Sequence, residues 1–193
     1  MQNFSEKHIN KYINVHNKEK EYGKTAIRWV NTVWDIIEKT QCSTILDYGC
    51  GKGVISTNIA FFIKNYDPAI KAFCQMPPKA EFVICINVLE CVEPEFLNNV
   101  LDHLEFLTEK GAFIVIDTKP SPITMLNGEN EYTNLKSVDE WKSLILKHFL
   151  VLYDMSTEDE LVMIVGHKMD EIERQKIHPE NKDLTLNQIN IGE

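Results

Sequence analysis

The stretch ILDYGCGKG, residues 45 to 53, has the makings of a ligand cradle: a short apolar run, an acid, then three spaced glycines. Three chemistries compete for it. A phosphate-binding P-loop sets four residues between its first glycine and a Gly-Lys-Ser/Thr. Here Lys52 lies between Gly51 and Gly53, and no glycine stands at the required distance before Gly51. That spacing removes the P-loop and leaves Lys52 as a solvated bystander. A dinucleotide turn reads G-x-G-x-x-G. Counted from Gly49 and Gly51, its third glycine falls on Val54, which disfavours a nicotinamide dehydrogenase. What remains is D-x-G-x-G-x-G, made by Asp47, Gly49, Gly51 and Gly53. Glycines at a strand-to-helix turn let a ligand lie directly on the backbone. The shortened spacing leaves little room for a pyrophosphate. It suits a ligand that ends in an amino acid, whose ammonium Asp47 can fix.

Two further segments carry chemistry. Asp67, in NYDPAI, ends the predicted second strand, where a carboxylate accepts bonds from ribose hydroxyls. A turn-forming Asp67-Pro68 is the plainer alternative. The segment CINVLECVEP, residues 85 to 94, ends a predicted strand and begins a helix. It puts Asn87, Val88 and Glu90 where ligands meet the carboxyl ends of such a sheet. Glu90 is a possible general base or, equally, a residue that caps or packs at a helix start.

These groups need a scaffold. Tyr22, Ala26, Trp29, Val30, Val33, Trp34 and Ile37 recur at helical spacing and predict an amphipathic helix over 21–40. STILD reads as a strand, VISTNIAF as a short helix, FIKNYD as a second strand and IKAFC as a brief third. The continuous apolar run Phe82 to Ile86 predicts a strand buried on both faces. Glu93-Pro94 opens a helix with Leu97, Val100, Leu101, Leu104 and Leu107 on its apolar face, stopped by Lys110-Gly111. AFIVID is another buried strand, and residues 118 to 136 form a long loop. Ser137 to Glu140 is a capping box for a helix through about His148. FLVLYDM and ELVMIVG close the fold as a hairpin. Alternating strands and helices imply an α/β fold, a mostly parallel sheet with helices on both faces. The expected division is an N-terminal arm or short helix over 1–20, one domain over 21–167 and a polar tail over 168–193.

Composition narrows the partners. The chain has 193 residues, 44% hydrophobic and 25% charged, enough for one domain with a real core. A net charge of -9 and the lack of a basic groove with interleaved aromatics argue against extended nucleic-acid binding. They favour a small molecule or a protein partner. Five cysteines with no CxxC pair predict reduced thiols, neither a disulfide framework nor a metal site. No apolar run approaches the ~20 residues of a membrane helix. The N-terminal stretch has no apolar core of a secretory signal, so a soluble, cytoplasmic protein off the membrane is expected.

With these residues in place, a resemblance can be stated. ILDYGCGKG closely resembles motif I of class I S-adenosylmethionine-dependent methyltransferases. A narrower layout, shared with methyltransferase-like proteins of bacteria and phages, is matched by Tyr22-Gly23, Leu46 to Gly53, Tyr66 to Ile70, Asn87 to Pro94 and LNGENEYTNL. It covers about residues 20 to 150. Within the segment similar to DVLEHVEP, Glu90 is kept, Asn87 replaces an aspartate and Cys91 a histidine. In the later loop Gly128 and Asn130 fit, while Glu129 and Tyr132 replace an arginine and a histidine. The resemblance implies a Rossmann-like sheet of seven strands, or slightly fewer, with one antiparallel strand from the C-terminal hairpin. It implies S-adenosylmethionine as cofactor and S-adenosylhomocysteine as product. It assigns cofactor contacts to Asp47, Tyr48, Gly49, Gly51, Asp67, Pro68, Asn87 and Val88. Candidate catalytic residues are Glu90, Asn130 and Tyr132, acting on a small-molecule or nucleotide acceptor. The departures at Cys91 and Tyr132 leave a second reading, a non-catalytic module that binds the cofactor or a protein partner.

Overall fold

Two apolar runs set the centre of the sheet. Ala80–Ile86 (β3) and Thr108–Asp117 (β4) pair in parallel, with Val83, Ile84, Cys85, Ile114 and Val115 wholly buried. Strands buried on both faces need apolar residues at every position, and these two have them. Ile45–Tyr48 (β1) pairs with β3 on its outer side, and Ile63–Tyr66 (β2) pairs with β1, both in parallel. The hairpin of Phe149–Asp154 (β5) and Glu160–His167 (β6) joins the other edge, β6 lying antiparallel to β4. The order is β2-β1-β3-β4-β6-β5, six strands of which β6 alone runs backwards. The structure is a computed structural model that describes residues 2–19, 22–123, 128 and 130–168. The tail expected over 168–193 lies, from residue 169, outside the described residues.

The helices cover both faces, as period-two alternation requires. Leu46, Val83, Cys85 and Ile114 face Leu97–Leu107 (α4) and Val138–His148 (α5). Ile45, Ile84, Phe113 and Val115 face Val30–Thr40 (α2) and the short Val54–Asn58 (α3). The helix expected over 21–40 is broken: a 3-10 turn at Thr25–Trp29 precedes α2. The capping box holds. Ser137 Oγ accepts from Glu140 N, and the Glu140 carboxylate accepts from Ser137 N at 2.8 Å. No described helix is long and apolar enough to cross a membrane.

Two expectations are corrected. IKAFC is no strand. Asp67 N donates to Phe73 O, and Phe73 N to Ile70 O, closing residues 67–73 into turns. The sheet therefore has six strands among the described residues. Lys110-Gly111 does not stop a helix, because α4 ends at Leu107 and both residues sit inside β4. Gly111 is there for close strand approach: a Cβ on it would stand 2.6 Å from Val165 O on β6.

Residues 2–19, expected as an arm or short helix, contain the helix Glu6–Lys18 (α1). Ser5 caps it, its Oγ accepting from His8 N at 3.0 Å. Ser5 is itself anchored, donating from Oγ to Glu93 at 2.6 Å and from its amide at 2.8 Å. At the other end Lys52 Nζ donates to Glu19 O. Lys52 is thus a tie between the glycine turn and α1, not a bystander.

Candidate active site

The chain leaves β1 for β2 on one side and returns to β3 on the other. At such a reversal the loops above the strand ends part, and a crevice opens outside them. Here a cavity of about 530 Å³ lies over the carboxyl ends of β1 to β4, within the usual range for small-molecule sites. Four strand ends at ~4.8 Å spacing span roughly 14 Å, room for two ligand parts side by side.

The β1 side is built by the glycine turn. Gly49 N and Cys50 N both donate to Tyr66 O, at 2.8 and 3.1 Å, which bends the chain back over β2. Gly49 has φ +73°, and a Cβ there would stand 2.3 Å from Val88 Cγ2. Val88, on the wall after β3, therefore rests against bare backbone. Gly51, also in the left-handed region at φ +51°, donates its amide to Asp67 Oδ2 at 2.9 Å.

Two carboxylates face the same half. Asp47 is 4% exposed and lines the cavity. Among the described residues no donor reaches it, and burial, then the nearby Asp67, push its pKa up to about 7. Asp67 accepts from Ala69 N at 2.8 Å as well as from Gly51 N. Burial raises its pKa, and those two amides and His16 oppose the rise. A carboxylate has about four acceptor positions, so each Asp67 oxygen keeps one for a ligand. Pro68, Asn87 and Tyr48 line the cavity too. The Tyr48 hydroxyl is held by His103 Nδ1 at 3.0 Å, so Tyr48 offers its ring rather than its oxygen.

Glu90 does not reach the cavity. It is completely buried behind the wall, where Oε1 accepts from Asn87 Nδ2 and Asp117 N, both at 3.0 Å. Its backbone oxygen accepts from Thr133 N and Asn134 N. Burial pushes its pKa up to about 8. A protonated Oε2, which has no partner, is the neutral form burial favours. Glu90 joins the ends of β3 and β4 to the later loop. Asn87 takes φ +54° to present its amide to it.

Asn130 is likewise a pin. Its Oδ1 accepts from Ser121 N and Tyr132 N at 3.1 and 3.0 Å, and its Nδ2 donates to Ser121 O at 2.7 Å. It ties the loop to itself and does not line the cavity. Tyr132 does line it. Its hydroxyl donates to Asp117 Oδ2 at 2.7 Å, and burial raises its pKa far above the usual phenol value. It can orient a ligand but not remove a proton. Gly128 is exposed, and Glu129 lies outside the described residues.

Several lining residues were not anticipated. Tyr12 and His16 of α1 form a wall opposite the strand ends, with Tyr22 packed edge-on against His16 at 4.8 Å. The signal was present: Ile9, Tyr12 and His16 follow i, i+3, i+7 behind Ser5 as N-cap. Glu131, 5% exposed, accepts from Tyr22 OH and, at 2.6 Å, from Ser121 Oγ. Asp117, at the end of β4, was likewise missed.

No protein-family profile matches the chain, and no curated protein matches it by sequence. Solved structures do match in fold. The 1,6-didemethyltoxoflavin-N1-methyltransferase of Burkholderia thailandensis, with S-adenosylhomocysteine bound, aligns at TM-score 0.62 and 12% identity, over 83% of this chain and 87% of that one. The magnesium protoporphyrin IX methyltransferase of Synechocystis PCC 6803, also with S-adenosylhomocysteine, aligns at 0.55 and 16%, over 84% and 95%. Human N-acetylserotonin methyltransferase, in complex with S-adenosylmethionine, aligns at 0.57 and 13%, over 83% and 57%. The six-stranded sheet, its single reversed strand and the crevice above β1 and β3 give this chain the fold of the S-adenosylmethionine-dependent methyltransferases.

Proposed function

We propose that the chain binds S-adenosylmethionine and transfers its methyl group to a small organic acceptor. The observation that carries the reading is Asp47: a buried carboxylate beside a glycine turn, facing a cavity, with no donor among the described residues. A buried charge without a partner is unfavourable unless a ligand supplies one. An α-ammonium is such a partner, and the Asp67 carboxylate suits a ribose diol. Gly49, Val88 and the Tyr48 ring give the apolar seat between them. The residues therefore fit the cofactor, which when bound supplies an electrophilic methyl on a sulfonium.

The chain's own task is then positioning. The wall of α1 and the loop after β4 exclude water from the cavity, which strengthens every polar contact inside it. Asp117 and Tyr132 hold the acceptor on the β4 side, and in-line alignment provides much of the rate. Calorimetry with S-adenosylhomocysteine tests the first step. Folded protein that shows no binding at high micromolar ligand would overturn it. A second reading, a module that binds the cofactor without catalysis, is favoured by one finding: Glu90 and Asn130 do not reach the cavity. Release of S-adenosylhomocysteine with any acceptor would reject that reading.

A further inference from the structure

The half of the cavity under β4 offers a ligand almost nothing but acceptors. A hydroxyl has one proton, and four hydroxyls there already donate theirs to the protein. Tyr22 OH gives its proton to Glu131 Oε1, Ser121 Oγ to Glu131 Oε2, and Tyr132 OH to Asp117 Oδ2. Tyr12 OH donates to Glu131 O at 3.3 Å. The Cys91 thiol points at Asn87 O, 3.9 Å away. Burial raises the pKa of all three phenols and of the thiol, so none becomes an anion and none releases its proton.

Charge points the same way. Among the described residues lining the cavity there is no lysine or arginine. His8 and His16, both lowered by burial, bring no positive charge at neutral pH. Asp117 and Glu131 stand on this side. A phosphate or carboxylate placed here would meet two carboxylates, and the nearby Arg28 guanidinium is already paired with Asp117 Oδ1 at 3.9 Å and with Glu160. An N–H group would meet two carboxylates and the lone pairs of three phenols, with aromatic faces to cover its ring or its charge.

Given the methyltransferase reading, on which this rests, we infer that the methyl acceptor is a small aromatic amine or N–H heteroaromatic and not a nucleotide or carboxylic acid. Its nitrogen donates to Glu131, Asp117 and the Tyr132 oxygen. A proton shed by that nitrogen passes to the Asp117 or Glu131 carboxylate.

The test uses full-length protein saturated with S-adenosylhomocysteine and calorimetric titration of paired probes. Tryptamine is set against indole-3-propionate, phenethylamine against 3-phenylpropionate, and adenosine against AMP. The uncharged or cationic member of each pair should bind at least about tenfold more tightly, the size of one charge-assisted hydrogen bond. Glu131→Gln and Asp117→Asn should each reduce tryptamine affinity several-fold. Tighter binding of the anionic members, or no binding of any amine at millimolar concentration, overturns the inference while leaving the cofactor reading intact. Failure of S-adenosylhomocysteine itself to bind overturns that reading instead.

Discussion

Replacing Asp47 by asparagine separates what its carboxylate does for a ligand from what it does to the fold. Burial and the neighbouring Asp67 push its pKa up to about 7, against ~3.9 in an unfolded chain. Between those two values the native state still holds a proton that the unfolded state has released. Stability therefore falls as pH rises from about 4 to about 7 and is level above. At ~1.36 kcal/mol per pH unit, the full difference is up to about 4 kcal/mol of destabilisation. Asparagine keeps the shape and does not ionise. The ligand-free variant should therefore be more stable than the wild type at pH 8, by up to a few kcal/mol, with the gap closing toward about pH 4. Binding should move the opposite way. Without the carboxylate, the cofactor's ammonium loses a charge-assisted bond of about 1.5–3 kcal/mol, or ten- to a hundredfold in affinity. Wild-type affinity should itself increase as pH rises through about 7, because the ionised form is the one that pairs.

Thermal denaturation across this pH range, with and without S-adenosylhomocysteine, reads both effects, since a ligand stabilises by mass action. An asparagine variant that melts below the wild type at pH 8 and still binds S-adenosylhomocysteine normally would refute the argument. It would mean that the fold, not a ligand, holds the Asp47 carboxylate.

Glu90→Gln should retain methyl transfer, because the side chain faces the ends of β3 and β4 rather than the cavity. With a pKa pushed up to about 8, Glu90 also destabilises as pH rises from ~4.3 toward that value, so the glutamine variant should flatten the pH dependence of melting. Asp67→Ala should weaken S-adenosylhomocysteine binding by about 1–3 kcal/mol in calorimetry and loosen the turn at Gly51, whose amide it accepts. Gly49→Ala should destabilise by about 2 kcal/mol or more, from the left-handed backbone and the collision with Val88. A companion Val88→Ala should restore part of the melting temperature. Tyr132→Phe should leave S-adenosylhomocysteine affinity within about threefold and lower turnover, since its oxygen sits on the β4 side with Asp117.

Much of this was legible because local rules and burial agree. The runs that became β3 and β4 have one reading, and Ser137 and Glu140 announce a cap that forms as expected. The glycine turn was readable from spacing alone, down to the facing acid. What failed was long-range. IKAFC has strand-like residues but no neighbour to pair with, so turns between Asp67 and Phe73 win. Gly111 looks like a helix stop until β6 lies beside it. Glu90 and Asn130 have the side chains of catalytic groups, and nothing in their sequence neighbourhood says that both point into the protein. Tyr12 and Glu131, 119 positions apart and joined by one hydrogen bond, become neighbours only when α1 closes over the strand ends.

The departures from the resembling methyltransferase layout are better understood together than singly. Cys91 stands for a histidine, and its thiol is held protonated against Asn87. Tyr132 stands for another histidine, and its hydroxyl is tied to Asp117. In the same loop Glu129 stands for an arginine. Each change removes a group able to carry positive charge. Loss of catalysis alone would not require that direction; a cationic or N–H-donating acceptor fits it, because a histidinium in place of Cys91 or Tyr132, both of which line the cavity, would repel it. Asp47 and Glu131 are meanwhile buried carboxylates that no lysine or arginine pairs with among the described residues. Binding sites are commonly less stable empty than the rest of the protein, and here the deficit is electrostatic. On the proposed reading two ligands would relieve it, the ammonium of the donor at Asp47 and the nitrogen of the acceptor at Glu131.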